Sequence, residues 1–433
     1  MPVDKISAPY NFVRLSNHVC KVQDIQLPQT APSQDEPVQG GLSGYLRCKI
    51  TSQGRLLVSA GKGDDGISAF FRPSAESNPV IPGSSLRGMV RNVMEVASFA
   101  RFQFVDDGRV GVRDLSPAVR LDYRDKVSGS TNRDTYEPKT KAGWLQYDGN
   151  VLKLTSCDFA RVDHDVLEEM SKGFNNGAKT LSNPNTSSEA SAQNVHNLFW
   201  GENVETIKDM FVQDESFPHP HSRNKKLLYK RAAISKEAAK GSHSVPASQK
   251  SGHLVFTGLP SSTKHMEFFF FDERTDQAQD ISPDTWSKFI DVHENQEKPS
   301  ETWVWRRALL NRGEKIPVFW LPNEQNPNKV DQIGLAMMFK LAADNSIHDM
   351  IRNTSADHLD PSICDLPTRI FGRISNAPDP QPGDSFKTRV SFGFAKLTSN
   401  FTEADIFKTV AAKPKPSFVP SYVRQRDFLD TDG

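Results

Sequence analysis

Paired cysteines, net charge and long apolar runs are all missing from this chain, and each shortage closes off a class of function. Its four cysteines, Cys20, Cys48, Cys157 and Cys364, stand far apart with no paired spacing. That pattern speaks against a structural zinc site or a disulfide framework and fits a reducing compartment. Lys plus Arg equal Asp plus Glu at 53 each, so no global field draws the protein to polyanions. Any nucleic-acid site must be a local patch. With no apolar run of about 18 residues and no charged-then-apolar leader, neither export nor membrane insertion is indicated, and a cytoplasmic location with no membrane partner is expected. At 433 residues the chain can bury a substantial core, as more than one domain or one heavily elaborated one.

The most informative stretch covers residues 80–102, which open Val-Ile-Pro-Gly-Ser-Ser-Leu-Arg-Gly-Met-Val-Arg. Pro82 and Gly83 suit a tight turn, and Ser84 or Ser85 can cap a helix. Leu86, Met89, Val90, Val93, Met94 and Val96 then recur at helical spacing. Arg87 and Arg91 lie four apart and so project to one side, near the unpaired N–H groups of the first turn. Cations there oppose the helix dipole, and an anion held by the N–H groups and both guanidiniums would offset that cost. The plainer reading is a packed helix whose two arginines reach carboxylates within the protein. Gly88 costs about 1 kcal/mol against alanine inside a helix, and close approach of another backbone would explain it.

Residues 81–91 resemble the motif that opens the first helix in the RAMP superfamily, the RNA-binding proteins of CRISPR-Cas effectors. Residues 8–13, 41–46, 141–145, 316–321 and 365–372 resemble segments of the larger RAMP proteins of type III systems, in the same order. The resemblance implies an α+β, ferredoxin-like, RRM-like fold, as one or two units with a large insertion. It implies a cytoplasmic prokaryotic subunit of the effector, with guide (CRISPR) RNA, target RNA and other effector subunits as partners. Guide RNA would be held by Ser84, Ser85, Arg87 and Arg91. The enzyme alternative is an endoribonuclease in which Asp64 or Asp65, in the Gly61–Gly66 loop, assists target cleavage through a divalent metal such as Mg. By itself that loop reads as a surface turn. The third reading is a non-catalytic structural paralogue. Gly393 alone is a poor match to the glycine-rich loop that often ends such proteins.

Taken with the composition, the resemblance implies an organisation: an arm over 1–40, a first RAMP-like unit over 41–171, a flexible, basic insertion over 172–252, a second half or second RAMP-like unit over 253–410, and a tail over 411–433. Within the insertion, residues 219–231 form the most basic cluster, carrying Arg223, Lys225, Lys226, Lys230 and Arg231 beside Tyr229. Such a run is either a solvated face or a loop that closes over RNA. Residues 101–105 and 109–113 flank Asp-Asp-Gly and predict a hairpin. The run Glu267–Asp272 holds four phenylalanines and is expected to be a central strand. Residues 284–311 read as helical, with Trp286, Phe289, Ile290, Trp303 and Trp305 as core candidates, and Trp144 is expected in the core.

Overall fold

A computed structural model describes residues 13–25, 39–63, 66–103, 105–113, 123–132, 135–171, 207–219, 222–234, 248–257, 264, 266–294, 299–374, 384–387 and 389–399. The chain divides into two compact units, one built on Gly108–Ser346 and the other on Phe12–Asp107 with Ile347–Lys413. Among the described residues no helix is long and apolar enough to cross a membrane.

In the second of these units, β1 (Ser59–Lys62) and β2 (Ser68–Phe70) form a hairpin. Next, β3 (Val80–Ile81) pairs with the strand Ala395–Lys396 and runs directly into α1 (Gly83–Ala97). Leu86, Val90 and Met94 are half-buried along α1, whereas Met89, Val93 and Val96 are about half exposed or more. Near the N-terminus, Val19 and Val22 are buried and their neighbours are pinned: Cys20 N–H donates to Phe99 O and Val22 N–H to Cys364 O. The hairpin expected over 101–113 does not form. The backbone N–H groups of Arg101 and Phe102 donate instead to the Asp365 carboxylate and His358 Nδ1, so they are unavailable to a strand partner.

The other unit begins with β4 (Gly111–Val112), α2 (Tyr123–Val127), β5 (Ser128–Asn132) and β6 (Thr135–Pro138). Then come β7 (Lys141–Asp148), β8 (Val151–Asp163) and α3 (His164–Ser171). Four further strands follow, β9 (Ile207–His219), β10 (Ser222–Ala233), β11 (Ser248–Val255) and β12 (Met266–Phe271). β8 pairs with β7 along residues 151–157 and with β12 along 158–163. Continuing from β12, the order runs through β11 and β9 to β10, and β10 returns to β8 in a parallel bridge between Arg231 and Arg161. The result is a closed five-stranded barrel.

This closure corrects the expected fold. A ferredoxin-like, RRM-like unit is an open sheet with helices against one face, whereas here the inner face of the sheet packs against itself. Inside lie Ala160 and Val162 of β8, Met210 and Val212 of β9, Ala232 of β10, Leu254 of β11 and Phe269 and Phe271 of β12, with Val166 and Leu167 of α3. The alternation is the period of two that a strand imposes, and small alanines opposite large rings fill a narrow barrel. The four phenylalanines are thereby explained. Phe269 and Phe271 point inward, while Phe268 and Phe270 join Trp144, Val255, Phe319 and Leu321 in a second cluster outside. The run is apolar because both its faces are covered, as a central strand requires.

Beyond the barrel, β13 (Gln279–Asp280) adds to β8, and β14 (Ile316–Pro322) bridges β7 and β15 (Val330–Gly334). The helical stretch expected over 284–311 forms as two helices, α4 (Pro283–His293) and α5 (Glu301–Asn311), each with its own serine cap. Ser282 Oγ accepts from Thr285 N–H and Ser300 Oγ from Trp303 N–H, so two start signals replace one. Phe289, Trp303 and Leu310 cover Leu145, Leu154, Ile316, Val318 and Trp320. Arg306 of α5 is 1% exposed; its guanidinium donates to the carbonyls of Phe256, Pro317 and Leu335. Last in this unit, β16 (Leu341–Ala342) pairs with β4.

Candidate nucleic-acid interface

The opening of α1 is built differently from a serine-capped helix. Pro82 occupies the cap position, no side chain accepts a hydrogen bond there, and the first turn holds no acidic residue. Ser84 and Ser85 lie inside that first turn and both are exposed. Proline supplies a fixed φ but no acceptor, so the first-turn N–H groups keep their capacity to bind an anion. Gly83 is buried, and a Cβ there would overlap the Phe392 carbonyl oxygen and crowd that of Gly393. Close backbone approach therefore occurs at Gly83. At Gly88, where the sequence predicts it, nothing described lies within 4 Å of a Cβ position.

Arg87 and Arg91 do project to one side of α1, and their partners come from the C-terminal part of the same unit. After α6 (Ile347–Thr354), α7 (Leu366–Phe371) begins at Asp365, whose carboxylate accepts from Thr368 N–H, and ends at Gly372 with φ of 76°. Arg87 Nη2 donates to Phe371 O at 2.6 Å, and its guanidinium stands 5.9 Å from the centre of the Phe371 ring. Arg91 Nη1 donates to Gly372 O at 3.4 Å and its Nε to Glu95 at 2.8 Å. The last carbonyls of a helix have no partner within it and carry its negative partial charge. Two guanidiniums therefore cap α7, an arrangement in which carbonyls hold most of the place that carboxylates were expected to fill. Phe371 in turn stacks on Phe392 at 6.1 Å, so the motif is clamped by residues almost 300 positions downstream.

Asp64 and Asp65 lie outside the described residues. The glycines around them are described: Gly66 N–H donates to Gly63 O and Gly63 N–H to Ile67 O, and Gly61 and Gly66 have positive φ. The loop thus closes the β1–β2 hairpin. Among the described residues no group of three His, Cys, Asp or Glu side chains is placed to hold a metal ion.

The basic cluster falls largely on β10, which pairs with β9 through Ser222↔His219 and Lys226 to Ala233. The side chains of Arg223, Lys225 and Lys226 lie outside the described residues. Lys230 meets Asp158 at 3.4 Å and Arg231 meets Asp163 at 2.7 Å. Burial raises the Asp158 pKa, but hydrogen bonding from Arg274 and the charge of Lys230 outweigh it and hold the group below the usual carboxylate range. Both cations thus serve the barrel wall, and Tyr229 carries the Arg161 guanidinium 4.0 Å from its ring centre.

Two histidines that invite a catalytic reading are used structurally. His348 Nε2 donates to Val105 O over 2.9 Å, and its backbone N–H donates to Asp107. His358, 1% exposed, accepts from Phe102 N–H and meets Ser16 O at 2.8 Å. A groove of about 110 Å³ lined by Trp144, Gly252, His253, Phe270 and Glu273 falls below the roughly 300 Å³ from which small-molecule sites start. What sequence reasoning missed at α1 is the clamp itself, since nothing local to residues 81–91 identifies Phe371, Gly372 and Phe392 as its partners. No model of a known protein family matches the chain, and no curated protein matches it.

Proposed function

We propose that this chain is an RNA-binding subunit of a type III CRISPR-Cas effector, holding the phosphate backbone of guide RNA at the opening of α1. The observation that supports it is the first turn: a proline cap, no side-chain acceptor, no carboxylate, and two exposed serine hydroxyls. Backbone N–H groups, hydroxyls and the dipole together suit a phosphate. Sequence choice would come from base pairing by the guide, because phosphate contacts position a strand without reading it. A second reading, a structural subunit without RNA grip, is favoured by one observation, the engagement of Arg87 and Arg91 with α7. Target cleavage by Asp64 or Asp65 with a divalent metal rests on the family resemblance alone.

The test is Ser84→Asp/Ser85→Asp in the full chain, measured for single-stranded RNA binding. Carboxylates in the first turn favour the helix and oppose a phosphate, so loss of fold cannot mimic loss of binding. The proposal expects affinity to fall about tenfold or more with an unchanged or raised melting temperature, each kcal/mol of lost anion contact being worth roughly a factor of five. Parental affinity in the folded variant refutes it and leaves the structural reading.

A further inference from the structure

The chain is electrically neutral overall, yet one segment is not. From Pro37 to Gly63 the sequence contains no Asp or Glu and carries Arg47, Lys49, Arg55 and Lys62. Residues 41–50 form no helix or strand, and every one of them is exposed. Leu42, Leu46 and Tyr45 are 101%, 94% and 85% accessible, so these side chains take no part in the core of their unit.

Composition and order in this segment point to a ligand. Laid out in extended form, residues two apart share a side and stand about 7 Å from one another. Tyr45, Arg47 and Lys49 then make one edge and Leu46, Cys48 and Ile50 the other. An aromatic ring in line with two cations, with no carboxylate in the segment itself, is the combination that tracks single-stranded nucleic acid. The cations meet phosphates and the ring offers a face to a base. A protein partner would bury the apolar edge and has no particular need of the first.

We infer that residues 40–62 form a second single-stranded RNA contact, separate from the α1 opening, in which Arg47 and Lys49 neutralise phosphates and Tyr45 stacks on a base. This rests on the reading of the chain as an RNA-binding protein and adds to it a surface on which that reading does not depend. In the sequence, Gly40, Gly41 and Gly44 flank the aromatic; their small size lets the chain follow a nucleotide strand closely.

The test uses the full chain and a fluorescein-labelled polyuridine, titrated over a salt series, with Arg47→Ala/Lys49→Ala and Tyr45→Ala as separate variants. All three side chains are exposed, so parental melting temperatures are expected and serve as the fold control. Removing two phosphate contacts is expected to make the slope of log affinity against log salt shallower by about 1.4. Losing the stacked base is expected to weaken binding about tenfold with the slope unchanged. If the parent and these variants bind polyuridine alike, while Ser84→Asp/Ser85→Asp does not, the inference fails and the α1 proposal stands. If the parent binds no RNA, both fail together. Unchanged polyuridine binding with loss confined to a polyglutamate probe assigns the segment to an acidic protein partner and overturns the RNA assignment.

Discussion

His293 makes the stability of the barrel-containing unit depend on pH, with a size that follows from its surroundings. It sits in the last turn of α4, where the helix dipole favours a cation. Its Nε2 is nevertheless buried with no hydrogen-bond partner among the described residues, and its ring lies 4.5 Å from that of Phe289. Burial first, then the charges of Arg306 and Lys340, push its pKa down from 6.5 to about 4. Between about pH 6.5 and about pH 4 the folded imidazole therefore stays neutral while the unfolded one protonates. Above pH 6.5 neither form takes the proton and the group is silent. As pH falls from 6.5 towards 4 only the unfolded chain takes it up, and stability is lost at about 1.4 kcal/mol per unit, reaching about 3 kcal/mol. Below about 4 both states are protonated and the loss levels off. All six tryptophans of the chain lie between residues 144 and 320, within this unit, so tryptophan fluorescence during urea unfolding follows it selectively. The measurement is the difference in unfolding free energy between the parent and His293→Gln at a series of pH values. It should shift by about 2–3 kcal/mol, against the parent, between about pH 7 and about pH 4.5. A difference that moves by less than about 0.5 kcal/mol would show that His293 titrates alike in both states, and the desolvation argument would be wrong.

Arg306→Met removes three donations to carbonyls and leaves those acceptors in the core without this donor; a loss of about 3–5 kcal/mol is expected by the same fluorescence assay, and under 1 kcal/mol refutes it. Gly83→Ala should destabilise α1 by about 1–3 kcal/mol through overlap with the Phe392 carbonyl, while Gly88→Ala should stabilise it by about 1 kcal/mol. Hydrogen exchange of the α1 amides checks both, and effects of equal sign would contradict the packing described. Arg87→Ala/Arg91→Ala should lower the melting temperature by uncapping α7 and leave the salt slope of RNA binding unchanged; a shallower slope would instead place these arginines on phosphate. Cys48 should react with a thiol reagent in the native chain, whereas Cys157, buried and with its pKa raised by burial and by the Glu273 and Asp158 charges, should react only after denaturant is added. Mass spectrometry of the labelled peptides decides between them.

Some of this protein is written locally and some is not. Helix α1, the central strand of phenylalanines and the core position of Trp144 depend on spacing and on the amount of apolar surface, and both can be read along the chain. The caps at Ser282 and Ser300 were equally local, but an uninterrupted aromatic pattern hid the break between α4 and α5. Barrel closure was not legible, because alternation with a period of two is the same in an open sheet and in a closed one. The difference lies in whether β10 returns to β8, a pairing of Arg231 with Arg161 that no local pattern encodes. The arginines of α1 show the same limit. Sequence determined that Arg87 and Arg91 share a side near the start of a helix, since four residues make about one turn. Only the tertiary structure decided what they meet there, because the carbonyls left open at the end of α7 lie some 280 residues further along, and a guanidinium binds whichever acceptor the fold brings to it.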